Sequence, residues 1–157
     1  MRYDGHSSWE QLVQSLERRA EQAETDHERS EIYLEAGKIW GDVLLGNGEA
    51  MTRYQLAVKH DPTCHEALER ARDIYVQMGK LGMIGKLIDI ELKSVQDPGR
   101  VAGLTLEKAW SLLISGKLQA SLEAFEEVQE ADPDNAEAAD LLADLVNQED
   151  LYTQAVE

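Results

Sequence analysis

Apolar residues recur at spacings of three and four along nearly the whole chain, with short polar or glycine- and proline-bearing breaks between the stripes. Trp9, Leu12, Val13, Leu16 and Ala20 form the first stripe, and Ser7 or Ser8 is placed to cap it. After a polar stretch, Ile32, Tyr33, Ala36, Ile39, Trp40, Val43 and Leu44 form a second, which stops at Gly46, Asn47 and Gly48. Ala50, Tyr54, Ala57 and Val58 form a third, ended by Asp61 and Pro62. Thr63, with Glu66 three residues on, reads as the capping box of a fourth helix, which runs through Ala67, Leu68, Ala71, Ile74, Tyr75 and Met78 to Gly79. A fifth carries Met83, Ile84, Leu87, Ile88 and Leu92 and stops near Asp97, Pro98 and Gly99. The sixth runs from about Val101 to Ile114, ended by Gly116, and the seventh carries Leu118, Leu122, Phe125 and Val128, ended by Asp132 and Pro133. An eighth follows from Ala138 to Val146, and a last short piece spans Leu151 to Val156. No segment alternates with a period of two. The pattern therefore predicts an all-α chain of paired helices joined by short turns.

A longer period lies over the helical one. Tyr54, Ala57 and Pro62 recur seventy-one residues later as Phe125, Val128 and Pro133, and Gly37 with Trp40 recurs seventy-two later as Ala109 with Leu112. Half that spacing is the size of one helix-turn-helix unit. Ala109, Leu112, Ser121, Phe125, Val128 and Pro133 hold the spacing of the tetratricopeptide repeat, and Gly37, Trp40, Ala50, Tyr54, Ala57 and Pro62 hold it with one inserted residue. Arg72, Tyr75, Ile84, Ile88, Glu91 and Pro98 form a degenerate unit, and Ala143, Val146 and Ala155 begin a fourth. The chain resembles the tetratricopeptide repeat family over residues 8–157. The resemblance implies a right-handed α-solenoid of about three and a half stacked helix-turn-helix units in one domain, after a flexible segment 1–7, with the last unit truncated. The physics of such a stack is that no unit buries its apolar face alone, so neighbours must cover it.

Charge narrows the functional classes. Fifteen basic against thirty-one acidic residues leave a net charge of −16, which opposes binding to nucleic acid and to anionic membrane surfaces. No apolar run approaches the roughly 18 residues of a membrane span, and the N-terminus has no apolar signal region. Cys64 is the single cysteine, so no internal disulfide forms. The cytoplasm is the expected compartment.

Motifs of catalysis and cofactor binding are weak. His60 and His65 are spaced as one half of a zinc site, with Cys64 between them, but no second half accompanies them. Cys64 lies near a helix N-terminus, where a thiol is acidified, yet nothing in the sequence places a base beside it. Gly46, Asn47 and Gly48 lack the lysine of a phosphate loop. Asp132 to Asn135 lacks the glycine of a calcium loop and reads as a helix stop and the next N-cap. Glu123, Glu126, Glu127 and Glu130 read as a solvated helix face. The expectation is a non-enzymatic chain without metal or cofactor.

The resemblance also implies a concave groove lined by the first helix of each unit. Its positions here include Glu31, Leu34, Lys38 and Asp42, then Glu66, Glu69, Asp73, Val76 and Gln77, then Leu106, Trp110, Leu113 and Ile114, and finally Glu137, Asp140 and Asp144. An apolar patch around Trp110 would lie between acidic walls, although Trp110 could equally turn into the core. Lys38 is the only cation in this set, which argues against a clamp for acidic chaperone tails. The expected function is a scaffold or adaptor that binds a basic and apolar peptide or helix through Leu34, Lys38, Glu69, Asp73, Leu106, Trp110, Leu113, Ile114, Asp140 and Asp144. The alternative is a structural segment that self-associates through its exposed ends, or continues a longer repeat protein.

Overall fold

The computed structural model describes residues 5–156, with side chains described to residue 148. All regular structure in this range is helical, with no strand among the described residues. The elements are α1 (Gly5–Gln22), α2 (Asp26–Lys38), a π turn (Ile39–Val43), α3 (Asn47–His60), α4 (His65–Gln77), a 3₁₀ turn (Leu81–Met83), α5 (Ile84–Leu92), α6 (Pro98–Ile114), α7 (Leu118–Ala131) and α8 (Ala136–Val156). They divide into two compact units, one ending at Met78 and the other beginning at Gly79. The division falls inside the degenerate repeat, between its two helices.

In the first unit α2 packs closely on α3, flanked by α1 and α4. Tyr54 and Ala57 of α3 and Ala36 and Gly37 of α2 are buried in this seam, where the small residues let the two helices approach closely. The buried Ser30 hydroxyl donates to the Ala57 carbonyl across it, at 2.8 Å. Ala20, Ala23 and Ile32 form a second cluster where α1 meets α2. Arg53 of α3 ties α1 in by donating to Glu17 at 2.7 Å, and its guanidinium lies 5.6 Å from the Trp40 ring centroid.

In the second unit α6 packs on α7, flanked by α5 and α8. Phe125 sits fully buried among Ala109, Leu122, Ala124 and Leu145. The buried Ser121 hydroxyl donates to the Ala109 carbonyl at 3.0 Å. Glu91 of α5 occupies a small-residue position of the degenerate repeat and is fully buried, with the Arg100 guanidinium of α6 donating to it.

Several boundaries differ from the sequence reading. Helix α1 starts at Gly5, so Ser7 and Ser8 lie within it and cap nothing. Thr63 is not the N-cap of α4: its amide and hydroxyl both donate to Asp61, which forms the turn, and Cys64 takes the cap position without a side-chain bond. The fifth helix stops at Leu92, and Asp97 and Pro98 instead open α6, with Asp97 accepting from the Arg100 amide at 2.9 Å. Leu151 to Val156 is no separate piece, because α8 continues to Val156. The side chains of Leu151, Tyr152, Ala155 and Val156, at one of the chain ends through which self-association is the alternative expectation, lie outside those described. Other stops fall where expected: Gly79 and Gly116 have φ of 67° and 75° just past α4 and α6, the left-handed position that favours glycine. Asn135 caps α8 by accepting from the Ala138 amide at 3.0 Å.

Two histidine–aspartate pairs cross at the end of the α2/α3 hairpin. His27 lies 3.0 Å from Asp61, and His60 lies 2.9 Å from Asp26 and stacks on Tyr33. The Asp61 bond, with the nearby Glu31 charge, raises His27 above its ordinary 6.5. Asp26 is lowered by His60 and Arg29, and Asp61 by Thr63 and His27. A raised histidine contributes fully below its ordinary value, and the contribution is lost as pH rises through the raised one. The lowered carboxylates contribute above their ordinary range and lose this as pH falls through the lowered values. The clasp is therefore tightest in mildly acidic solution. Proton titration by NMR is expected to place His27 above 6.5 and to return it most of the way in Asp61→Asn; an unchanged midpoint in the variant would refute the pairing.

Candidate functional site

The site of the first unit is built around the π turn. The Leu44 amide donates five residues back to Ile39 at 3.0 Å, and the Gly46 amide donates to Trp40 at 2.8 Å. A π turn holds one more residue between bonded groups than an α turn. It takes up the residue inserted between Trp40 and Ala50 in the repeat spacing. Leu45 closes the turn with φ of 54° and is 79% exposed. A left-handed conformation costs a non-glycine residue roughly 1–2 kcal/mol, and an exposed side chain recovers little of this by burial. Leu45→Gly is expected to raise stability by about 0.5–1 kcal/mol, readable as a shifted urea midpoint; a loss would show that the leucine packs usefully.

A ladder of charges joins α2 and the π turn to α4. Lys38 donates to Glu35 at 3.1 Å and lies 3.3 Å from Glu66. Arg70 donates to Glu66 at 3.1 Å and to both oxygens of Asp42, at 3.2 and 2.9 Å. Burial alone would lower the Arg70 guanidinium, but bonds to Tyr54, Asp42 and Glu66 outweigh it and push it up. Burial likewise raises the Tyr54 phenol. Asn47 donates to Gln77 at 3.3 Å at the other end of the ladder. Between these groups lies a cleft of about 510 Å³, lined by Asp42, Leu45, Tyr54, Arg70, Asp73 and Ile74 among others. A smaller recess beside it is lined by Glu66, Glu69, Arg70 and Asp73. Among the described residues, Glu69 and Asp73 have no ion-pair partner.

Sequence reasoning placed Lys38 here as the lone cation and missed Arg70. The second cation does not make the cleft basic, because Asp42 and Glu66 take up its charge. The signal in the sequence was the four-residue spacing from Glu66 to Arg70, which marks a helix-face ion pair but not the Asp42 partner on another element.

The second unit repeats this geometry with different chemistry. Trp110 stands one repeat pair beyond Lys38, and Glu137 one beyond Glu66. The Trp110 indole N–H donates to Glu137 at 3.2 Å, as Lys38 reaches Glu66. The indole is partly buried and meets Phe125 edge-on at 6.0 Å between centroids. Leu106 and Leu113 are also partly buried and pack on the same cluster, whereas Ile114 is 66% exposed. Asp140 and Asp144 are exposed, without ion-pair partners among the described residues. Leu34, in the first unit, is partly buried on α2. His60 is engaged by Asp26 and Tyr33 rather than facing Cys64 and His65, and no group of three or more potential ligands for a metal ion occurs among the described residues.

No described helix is long and apolar enough to cross a membrane. No family model matches the chain, and no curated protein matches it at a significant level. Among solved structures it is similar to "MamA RS-1 ArsTM double mutant", a tetratricopeptide-like protein, with a TM-score of 0.58 and 14% identity, over 99% of this chain and 91% of that one. Together, the helical pairs and this likeness make the fold an all-α one of the tetratricopeptide-like kind.

Proposed function

We propose that the chain is a non-catalytic protein-interaction module of the cytoplasm that takes a basic and apolar peptide or helix on the first-helix faces of its repeats. One observation carries this reading: Glu69, Asp73, Asp140 and Asp144 are exposed and without ion-pair partners among the described residues, Leu45 lines one cleft with Asp73, and Leu45 and Ile114 are strongly exposed. Unpaired carboxylates beside exposed apolar groups favour partners with the opposite charge and a matching apolar surface. Leu34, Lys38, Leu106, Trp110 and Leu113 then act mainly by shaping the faces, since each is partly covered.

Selection of a random dodecapeptide display library on the full chain tests this. Enriched sequences are expected to combine Lys or Arg with aliphatic residues, and their affinity to fall about tenfold as salt rises to roughly 0.5 M. Enrichment of acidic peptides, or no enrichment, would sink the reading.

A second reading is self-association, favoured by Trp9 and Leu12 of α1, which are 41% and 42% exposed. Sedimentation equilibrium separates the two: a dimer abolished by Leu12→Glu supports self-association, and a monomer at high concentration removes it.

A further inference from the structure

We infer that the cleft between the π turn and α4 is the anchor pocket for one arginine of a protein partner, with an aliphatic residue beside it in the partner's chain. The inference rests on the reading of the first-helix face as a protein-binding surface and gives that surface a specific subsite.

Charge is the first argument. Arg70 is held by Asp42 and Glu66, so its positive charge is balanced within the fold. Asp73 lines the same cleft, exposed and without a partner among the described residues. The pocket therefore carries one uncompensated negative charge on its wall, with Glu69 one turn away adding a second. A cation is the complementary occupant.

Shape selects among cations. Asn47 lines the cleft and its amide nitrogen donates to Gln77, so its oxygen is the group it can offer to an incoming donor. A carboxylate and an amide oxygen on separate elements suit the planar, several-donor fork of a guanidinium better than the point charge of an ammonium. The cleft volume of about 510 Å³ lies within the range of sites that hold a ligand, and it is large enough for more than one side chain.

Leu45 supplies the second half. It stands at the lip of the cleft, 79% exposed, in a backbone conformation that disfavours leucine. A position that breaks a local rule without a packing gain is where function is expected to hold the residue. An aliphatic side chain next to the bound arginine would cover Leu45.

The test uses the isotopically labelled full chain and synthetic glycine–serine peptides carrying a central Leu-Arg, Leu-Glu or Ser-Arg pair, followed by NMR. The Leu-Arg peptide is expected to give saturable shifts centred on Leu45, Asn47, Asp73 and Gln77. Affinity is expected to drop at least about fivefold for each of the other two peptides, and by a similar factor in Asp73→Asn and Leu45→Ser. Both variants alter exposed side chains, and a thermal melt confirms that they fold. Absence of saturable shifts, equal binding of the Leu-Glu peptide, or unchanged affinity in both variants overturns the pocket. If basic peptides from the display library bind while Asp73→Asn and Leu45→Ser leave them unaffected, the interaction function stands and this subsite alone falls.

Discussion

Phe125→Ala is expected to lower the unfolding free energy by about 3–5 kcal/mol, the range for deleting a fully buried phenylalanine ring. The ring is completely buried among Ala109, Leu122, Ala124 and Leu145, with the Trp110 indole edge-on against it. Two of those four neighbours are alanines, whose short side chains have no reach with which to refill the space. The cavity therefore persists, and the cavity cost adds to the lost transfer free energy. Phe125→Leu, which keeps most of the volume, is expected to cost less than about 1.5 kcal/mol. Urea unfolding followed by circular dichroism reads both, the midpoint moving with the slope unchanged. A loss below about 1 kcal/mol for the alanine variant would mean that α6, α7 and α8 close over the gap.

Gly37→Ala is expected to cost about 1–3 kcal/mol, although alanine is the better helix former. A Cβ built on Gly37 would lie 2.6 Å from Cε1 and 2.8 Å from Cδ1 of Tyr54. Tyr54 is almost wholly buried and its oxygen is bonded to Arg70, so the ring cannot swing aside without breaking the charge ladder. Gly48→Ala is the matched opposite. Nothing lies within 4 Å of its added Cβ in the first turn of α3, and a gain of about 0.4–1 kcal/mol is expected from the restricted unfolded chain. Opposite signs for the same substitution on two neighbouring helices would establish that close helix approach, and not propensity, governs position 37. A stabilising Gly37→Ala would contradict the tight seam.

The same glycine shows how far the sequence could be read. Gly37, Ala50, Tyr54 and Ala57 hold the repeat spacing, and the resemblance it carries implies small residues where the two helices of a unit approach closely. The structure packs them so. The helix stops at Gly79 and Gly116 were equally legible, because a left-handed residue after a helix has a strong local preference for glycine. The stop at Leu45 was not legible in this way, since a leucine in that conformation runs against local preference.

Legibility also ended where two local signals competed. Thr63 and Glu66 have the spacing of a capping box, yet Asp61 reached the Thr63 amide first and formed a turn. Asp97 and Pro98 read as the end of one helix, and the bond that the Asp97 carboxylate accepts from the Arg100 amide made them the start of the next.

Periodicity and repeat spacing thus pointed to an all-helical chain of paired helices, and composition to its acidic charge, because those properties are carried by each residue and its near neighbours. The charge ladder was of another kind. Arg70 finds Asp42 twenty-eight residues away and Lys38 finds Glu66 on a different helix, and such partners exist only once the helices pack. Trp110 belongs to the same class: its sequence position allowed either an exposed or a buried indole, and the choice depended on Phe125 and Glu137 arriving from α7 and α8. Long-range pairing decided which charges were engaged inside the fold and which of the described ones were left without an ion-pair partner.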